Sequence, residues 1–278
     1  MTSRGDAPLP APRQNPYDLT PVTPPRRTLV KVPEILAIFW VVKVTTTALG
    51  ESVSDYAVHR FDPVLAVVVG AIAFGIALAG QFAATRYVAW IYWLAVAMVA
   101  VFGTMAADVL HVRFQVPYAA STVLFAAVLA AVFAAWHTTE RTLSIHSIDT
   151  RRRELFYWAT VLATFALGTA AGDLTAITLG LGYAGSTFLF LALICVPLVA
   201  WRWLSMNAIV AFWFAYVLTR PLGASLSDWI GKPVGVGGMG LGDGVAAAIF
   251  LGVLVVLIGY LTLTRIDVRR DPAALPAP

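Results

Sequence analysis

The chain has 278 residues, 59% hydrophobic and only 12% charged, with a mean hydropathy of +0.80 and a formal net charge of +4. Soluble domains carry about 25% charged residues, so this balance excludes an ordinary water-soluble protein and implies a chain that crosses a bilayer repeatedly. The positive charge then belongs to span ends facing the cytoplasm, and no nucleic-acid partner is needed to explain it. Cys195 is the only cysteine, which excludes an intrachain disulfide; inside an apolar run it reads as a buried, inert thiol.

Residues 1–32 hold seven of the sixteen prolines and almost no apolar periodicity, which predicts a disordered cytoplasmic tail. A basic start followed by an apolar core and a cleavage site is missing, so a cleaved signal peptide is not expected. A bilayer core takes about 20 apolar residues per helix. Runs of that length occupy about 33–56, 63–83, 87–110, 117–137, 154–176, 183–203, 207–230 and 244–265, followed by a tail at 266–278. The expected fold is therefore all-α: a polytopic membrane bundle of about eight transmembrane helices. Fourteen of the nineteen Lys and Arg residues fall on one side, among them Lys31, Arg86, Arg141, Arg151–Arg153, Arg202 and Arg265. Arg60, Arg113 and Lys232 fall on the other. The excess of positive charge on the cytoplasmic side predicts a bacterial inner-membrane protein with both termini inside.

A skeleton of Trp, nine residues, Gly, four residues, Asp recurs four times: Trp40-Gly50-Asp55, Trp93-Gly103-Asp108, Trp158-Gly168-Asp173 and Trp213-Gly223-Asp228. Four copies in register, each inside an apolar run, mark an internal repeat. The repeats are about 33–85, 86–140, 154–205 and 206–265, each a pair of helices with the skeleton on the first. The second helices read as packing elements, with Ala71, Gly75 and Ala79 forming a stripe of small residues. Tyr118 and Tyr183 each follow an aspartate by ten residues and read as interface anchors.

Fifteen helical residues separate each Trp from its Asp, roughly 22 Å, so the aspartates lie near the outer boundary of the bilayer. One reading makes them span ends facing water. Against it, a carboxylate at a helix C-terminus meets the unfavourable end of the dipole, and a span end has no reason to recur at fixed spacing. The other reading lets four equivalent carboxylates converge on a shared cavity. The glycines are expected to allow close packing or, less simply, to break the helix and draw the aspartates deeper. The tryptophans are expected to pack.

Lys43, Glu51 and Arg220 are not repeated. Charges deep in a span are costly and point to an interior, functional or paired position; Glu51 is the expected partner of Arg220. Thr45, Thr46, Thr47, Ser52, Ser54, Thr164, Thr219, Ser225 and Ser227 add oxygens, and an oxygen-rich acidic setting suits hard cations. His59 and His111 share a helix face with Asp55 and Asp108, but repeats three and four carry Ile177 and Gly231 there, so both read as surface histidines. The loop 231–244, GKPVGVGGMGLGDG, lacks the ending of a phosphate loop and reads as a flexible outer loop. Catalytic triad, zinc and dinucleotide motifs are missing, so neither an enzyme nor a cofactor is expected.

The segments KVPEILAIFWVVKVTTTALGESVSD (31–55) and FWFAYVLTRPLGASLSD (212–228) resemble a bacterial family of uncharacterised membrane-anchored proteins built from a tandem repeat of unknown function. The likeness covers about 31–265; repeats two and three depart from the first where Glu51 becomes Thr104 and Thr169. It implies a fold and a location, not an activity. The expected function is transport of a small cation, a divalent metal or a proton, through Asp55, Asp108, Asp173, Asp228 and Glu51. The alternative is a membrane scaffold or sensor whose repeats only pack. The bilayer is the one partner implied; the metal and the oligomeric state stay open.

Overall fold

The structure, a computed structural model, describes residues 30–112 and 114–268. Among them are eight long helices: α1 (Ala37–Arg60), α2 (Pro63–Ala83), α3 (Ala89–Val112), α4 (Tyr118–Glu140), α5 (Arg151–Asp173), α6 (Gly182–Trp203), α7 (Ala208–Gly231) and α8 (Asp243–Thr264). Local sequence sets several starts. The Asp62 carboxylate accepts from the Leu65 amide with Pro63 at the first helical position, Thr150 caps α5, and Asn207 accepts from the Ile209 and Val210 amides, the usual chemistry of an N-cap. A π-helical turn, Leu174–Thr178, continues α5 beyond Asp173. Seven of the eight helices are long and apolar enough to cross a membrane. The exception is α1, where Lys43, Glu51, Asp55 and Arg60 interrupt the apolar run.

The first helix of each pair belongs to an inner ring. Helix α1 packs on α3, α3 on α5, α5 on α7, and α7 back on α1. The second helices lie outside, largely exposed, and each packs chiefly on the inner helix of the following pair: α2 on α3, α4 on α5, α6 on α7 and α8 on α1. Each outer helix therefore packs mainly outside its own repeat.

The same cyclic rule governs side chains. The aromatic residue before each tryptophan meets the tryptophan of the next repeat: Phe39 with Trp93 at 5.5 Å between ring centroids, Tyr92 with Trp158 at 5.9 Å, Tyr157 with Trp213 at 6.2 Å and Phe212 with Trp40 at 5.7 Å. Each skeleton glycine faces the residue three before the next glycine: Gly50 faces Ala100, Gly103 faces Phe165, Gly168 faces Arg220 and Gly223 faces Thr47. A methyl group at any of the four would overlap its neighbour. All four glycines lie within continuous helices, so close approach, not a break, is their role.

Both ends of the described chain meet at one end of the bundle, where the Glu34 amide donates to the Asp267 carbonyl at 2.9 Å. Lys31 belongs to the folded body rather than to a tail: its ammonium donates to buried Glu154 at 2.8 Å and to the Phe82 carbonyl at 3.2 Å. Asp267, placed by the sequence in the C-terminal tail, is likewise buried and accepts from the Tyr87 hydroxyl at 2.5 Å. The remainder of the expected tails, 1–29 and 269–278, lies outside the described residues. Cys195 is exposed on α6, not buried, because outer helices turn most of their surface away from the ring. The Ala71-Gly75-Ala79 stripe does not pack within the chain either: Gly75 has nothing near it, and α2 instead buries Ala66 and Ala77 and sets Gly70 against Met105.

Candidate functional site at the aspartate end of the helix ring

The inner ring has an arginine-rich end, where α1 begins, and an aspartate end. Because a helix rises about 1.5 Å per residue, the order Trp40, Lys43, Thr47, Glu51, Asp55 along α1 is also an order of depth. The arginine-rich end is closed by rings. The hydroxyls of Tyr92 and Tyr157 share a hydrogen bond, and Phe39, Trp93, Trp158, Trp213 and Tyr216 fill the space around them.

Above that floor lies Lys43, 1% exposed, with its ammonium 4.2 Å from the centroid of the Phe165 ring and 4.3 Å from that of Tyr216. It points inward as expected of a charge in a span, but no carboxylate pairs with it among the described residues, and the nitrogen makes no hydrogen bond. The reason is depth: Glu51 lies two turns further along α1 and is taken by another cation, so only ring faces remain for Lys43.

Arg220 occupies the next level, wholly buried, and touches all four inner helices. Its stem, from α7, lies against Gly168 of α5. Its Nη2 donates to Glu51 Oε2 at 2.6 Å, to Thr169 Oγ1 at 2.7 Å and to Thr104 Oγ1, and its Nη1 donates to the Thr47 carbonyl at 3.4 Å. Glu51, Thr104 and Thr169 each directly follow a skeleton glycine, in repeats one, two and three. The two threonine hydroxyls donate back to Ala100 and Phe165 within their own helices, which leaves their lone pairs to accept from the guanidinium. The departure from Glu to Thr between repeats thus serves one arginine, which needs one counter-charge and several neutral acceptors.

One turn beyond Glu51 lie the aspartates. Oxygens of Glu51, Asp55 and Asp228 come within 4.8 Å of one another, and the carboxylates of Asp108 and Asp173 lie in Coulombic range of Glu51 and Asp55. Lys232, just past α7, reaches into this group: its ammonium is 2.6 Å from Asp55, 3.8 Å from Asp228 and 3.7 Å from Asp243. Burial works against its charge, but Asp55 and Asp228 outweigh that and hold its pKa above the ordinary lysine value. Ser52 and Ser227 share a hydrogen bond of 2.5 Å between α1 and α7 nearby.

Of the two histidines only His59 reaches the edge of this group: its ring bonds the Asp55 carbonyl at 2.8 Å and its Nδ1 stands 3.8 Å from Asp243, whereas His111 lies 4.3 Å from the Tyr118 ring. Tyr118 and Tyr183 both lie near enough to Asp173 and Asp228 for those carboxylates to act on their hydroxyls. Residues 231–244 are not a loose loop. Met239, Leu241 and Gly242 donate their amides to Trp229, Ile230 and Gly231, folding the segment back along the end of α7. Gly237, Gly240 and Gly242 take positive φ values there, a conformation that glycine adopts without steric cost. Sequence reasoning missed Lys232 and Asp243 as members of the site, because nothing in local spacing ties a loop lysine to Asp55, 177 positions away.

A family model described as Repeat of Unknown Function (DUF347) matches residues 91–142, 156–207 and 211–267, more than half of the chain. Trp93, Trp158 and Trp213 each stand third in their match, so the model reads repeats two, three and four in one register. The first pair of helices lies outside the matched residues yet completes the ring by the same contacts. No curated protein and no solved structure matches the chain.

Proposed function

We propose a function for this chain, which belongs to the Repeat of Unknown Function (DUF347) family, from the geometry of its own site: it carries a small cation, a divalent metal ion or a proton, across the membrane. The observation behind this reading is that carboxylates from all four inner helices gather with Glu51 at one end of the ring. Carboxylates so gathered repel one another, Arg220 and Lys232 offset only part of that charge, and carboxylate oxygens are the ligands of hard cations. The bias of Lys and Arg puts the opposite end in the cytoplasm, so the carboxylates would receive a cation from outside.

The axis beneath the carboxylates is filled by Arg220, Lys43 and the aromatic floor. This favours a carrier that rearranges over a channel with a fixed pore, and it is also the observation that supports the second reading, a membrane scaffold or sensor. Purified protein in liposomes, tested for uptake of protons, Na+, Mg2+, Mn2+ and Zn2+, separates the two. Uptake of at least one ion that is lost in Asp55→Asn supports the carrier. Uniform absence of flux in protein that remains folded leaves the scaffold or sensor.

A further inference from the structure

Within the aspartate group one contact is left incomplete. Asp228 is 6% exposed, and its Oδ1 has no hydrogen-bond partner although it faces the Lys232 ammonium at 3.8 Å. The ammonium instead bonds Asp55 at 2.6 Å, and it stands 3.7 Å from Asp243 at the start of α8. A buried carboxylate oxygen left without a hydrogen bond carries a cost that a better-placed cation would relieve. The oxygens of Glu51, Asp55 and Asp228 lie within 4.8 Å of one another. A hard cation with ligand distances of about 2.0–2.6 Å can bridge oxygens so spaced.

We propose that Lys232 is a tethered resident cation: its ammonium holds the carboxylate site in the resting protein, and a free cation enters the Glu51–Asp55–Asp228 position only by displacing it. This rests on the cation reading given above and adds how the site is controlled. The geometry suits such an exchange. Lys232 directly follows the last residue of α7, so its side chain swings from a fixed base. Asp243 lies outside the three-carboxylate group but within reach of Lys232, and Gly231 lets it approach because any larger residue would meet the Asp243 carboxylate. When a cation arrives, Lys232 therefore moves toward Asp243 and retains a partner. Glu51 belongs both to the cation position and to the Arg220 pair, so the arriving cation also competes with Arg220, the group that ties the four inner helices together.

The test measures Mn2+ affinity of the full chain in detergent micelles for the parent, Lys232→Met and Lys232→Arg. Removing the resident charge is expected to tighten Mn2+ binding about tenfold, the equivalent of about 1.4 kcal/mol, in Lys232→Met. Lys232→Arg should stay near the parent, and adding Asp228→Asn to Lys232→Met should abolish the gain. A second measurement needs no variant: Mn2+ should speed reductive methylation of Lys232 in the parent protein, followed by mass spectrometry. Equal affinities in parent and Lys232→Met, or a methylation rate indifferent to bound Mn2+, overturn the resident-cation proposal and leave the cation reading standing. Absence of binding by every form, for Mn2+, Mg2+, Zn2+ and Na+ alike, overturns the resident-cation proposal and the metal-ion form of the cation reading together.

Discussion

Arg220 shows how a single side chain is tolerated in an apolar core. A lone guanidinium there would be prohibitive, but Glu51 supplies the charge, while Thr104 and Thr169 supply neutral acceptors from two further helices. Taking one member from a buried pair strands the other, at a cost of about 3–5 kcal/mol. Arg220→Met should lower stability by that order in thermal unfolding in micelles, and Glu51→Gln added to it should recover a substantial part. Lys43 is the contrasting case, a buried ammonium with two ring faces and no carboxylate. Cation–π contact offsets about 2 kcal/mol, less than the several kcal/mol that burying an ion costs. Lys43→Met is therefore expected to unfold no earlier than the parent, and a marked loss of stability would contradict this. For transport, Asp55→Asn should be the most damaging and Asp173→Asn the least. Asp55 is a member of the tight carboxylate group and the closest partner of Lys232, whereas Asp173 lies outside that group. Uptake rates normalised to membrane abundance decide the ranking.

At the scale of elements, the glycines set how closely the inner helices approach. Each faces a side chain of the next inner helix, and the ring closes where Gly223 meets Thr47. Overpacking such a contact costs about 1–3 kcal/mol. Gly168→Ala should cost at least that, because its methyl group would press on both Arg220 and Pro221 and tilt the guanidinium off its acceptors. Gly75→Ala, with open space around it, should be neutral or slightly stabilising through helix propensity. Unfolding midpoints of the two variants, measured side by side, test the comparison. The outer helices follow a different logic. Each leans on the next repeat, so cutting the chain between repeats separates an outer helix from its packing partner.

The whole molecule is a closed ring, and α1 is required to close it. Fragment 89–268 contains every residue matched by the family model, but in it α7 and α8 lose the helix on which both pack. That fragment should accumulate poorly or elute as aggregate on size exclusion, while the full chain elutes as a single species. The eight helices alternate in direction, and the chain's described ends meet through Glu34 and Asp267. Reporter fusions placed after Pro278 and in the segment between α7 and α8 should therefore report opposite sides of the membrane, with the former cytoplasmic.

The sequence by itself determined the helices, their number and the fourfold skeleton, because span length and fixed spacing are local properties of the chain. It also pointed to Glu51 as the partner of Arg220, since a charge at that depth demands an opposite one. Which helices touch was decided only in three dimensions. The second helices read as packing elements without a named partner, and α2, α4, α6 and α8 each cross to the following repeat, a choice that depends on shape complementarity between distant surfaces. The same holds for Lys43, whose ring partners come from α5 and α7, and for Lys232, whose carboxylate partners come from α1, α7 and α8. Spacing along a helix records which residues share a face; it does not record what that face meets.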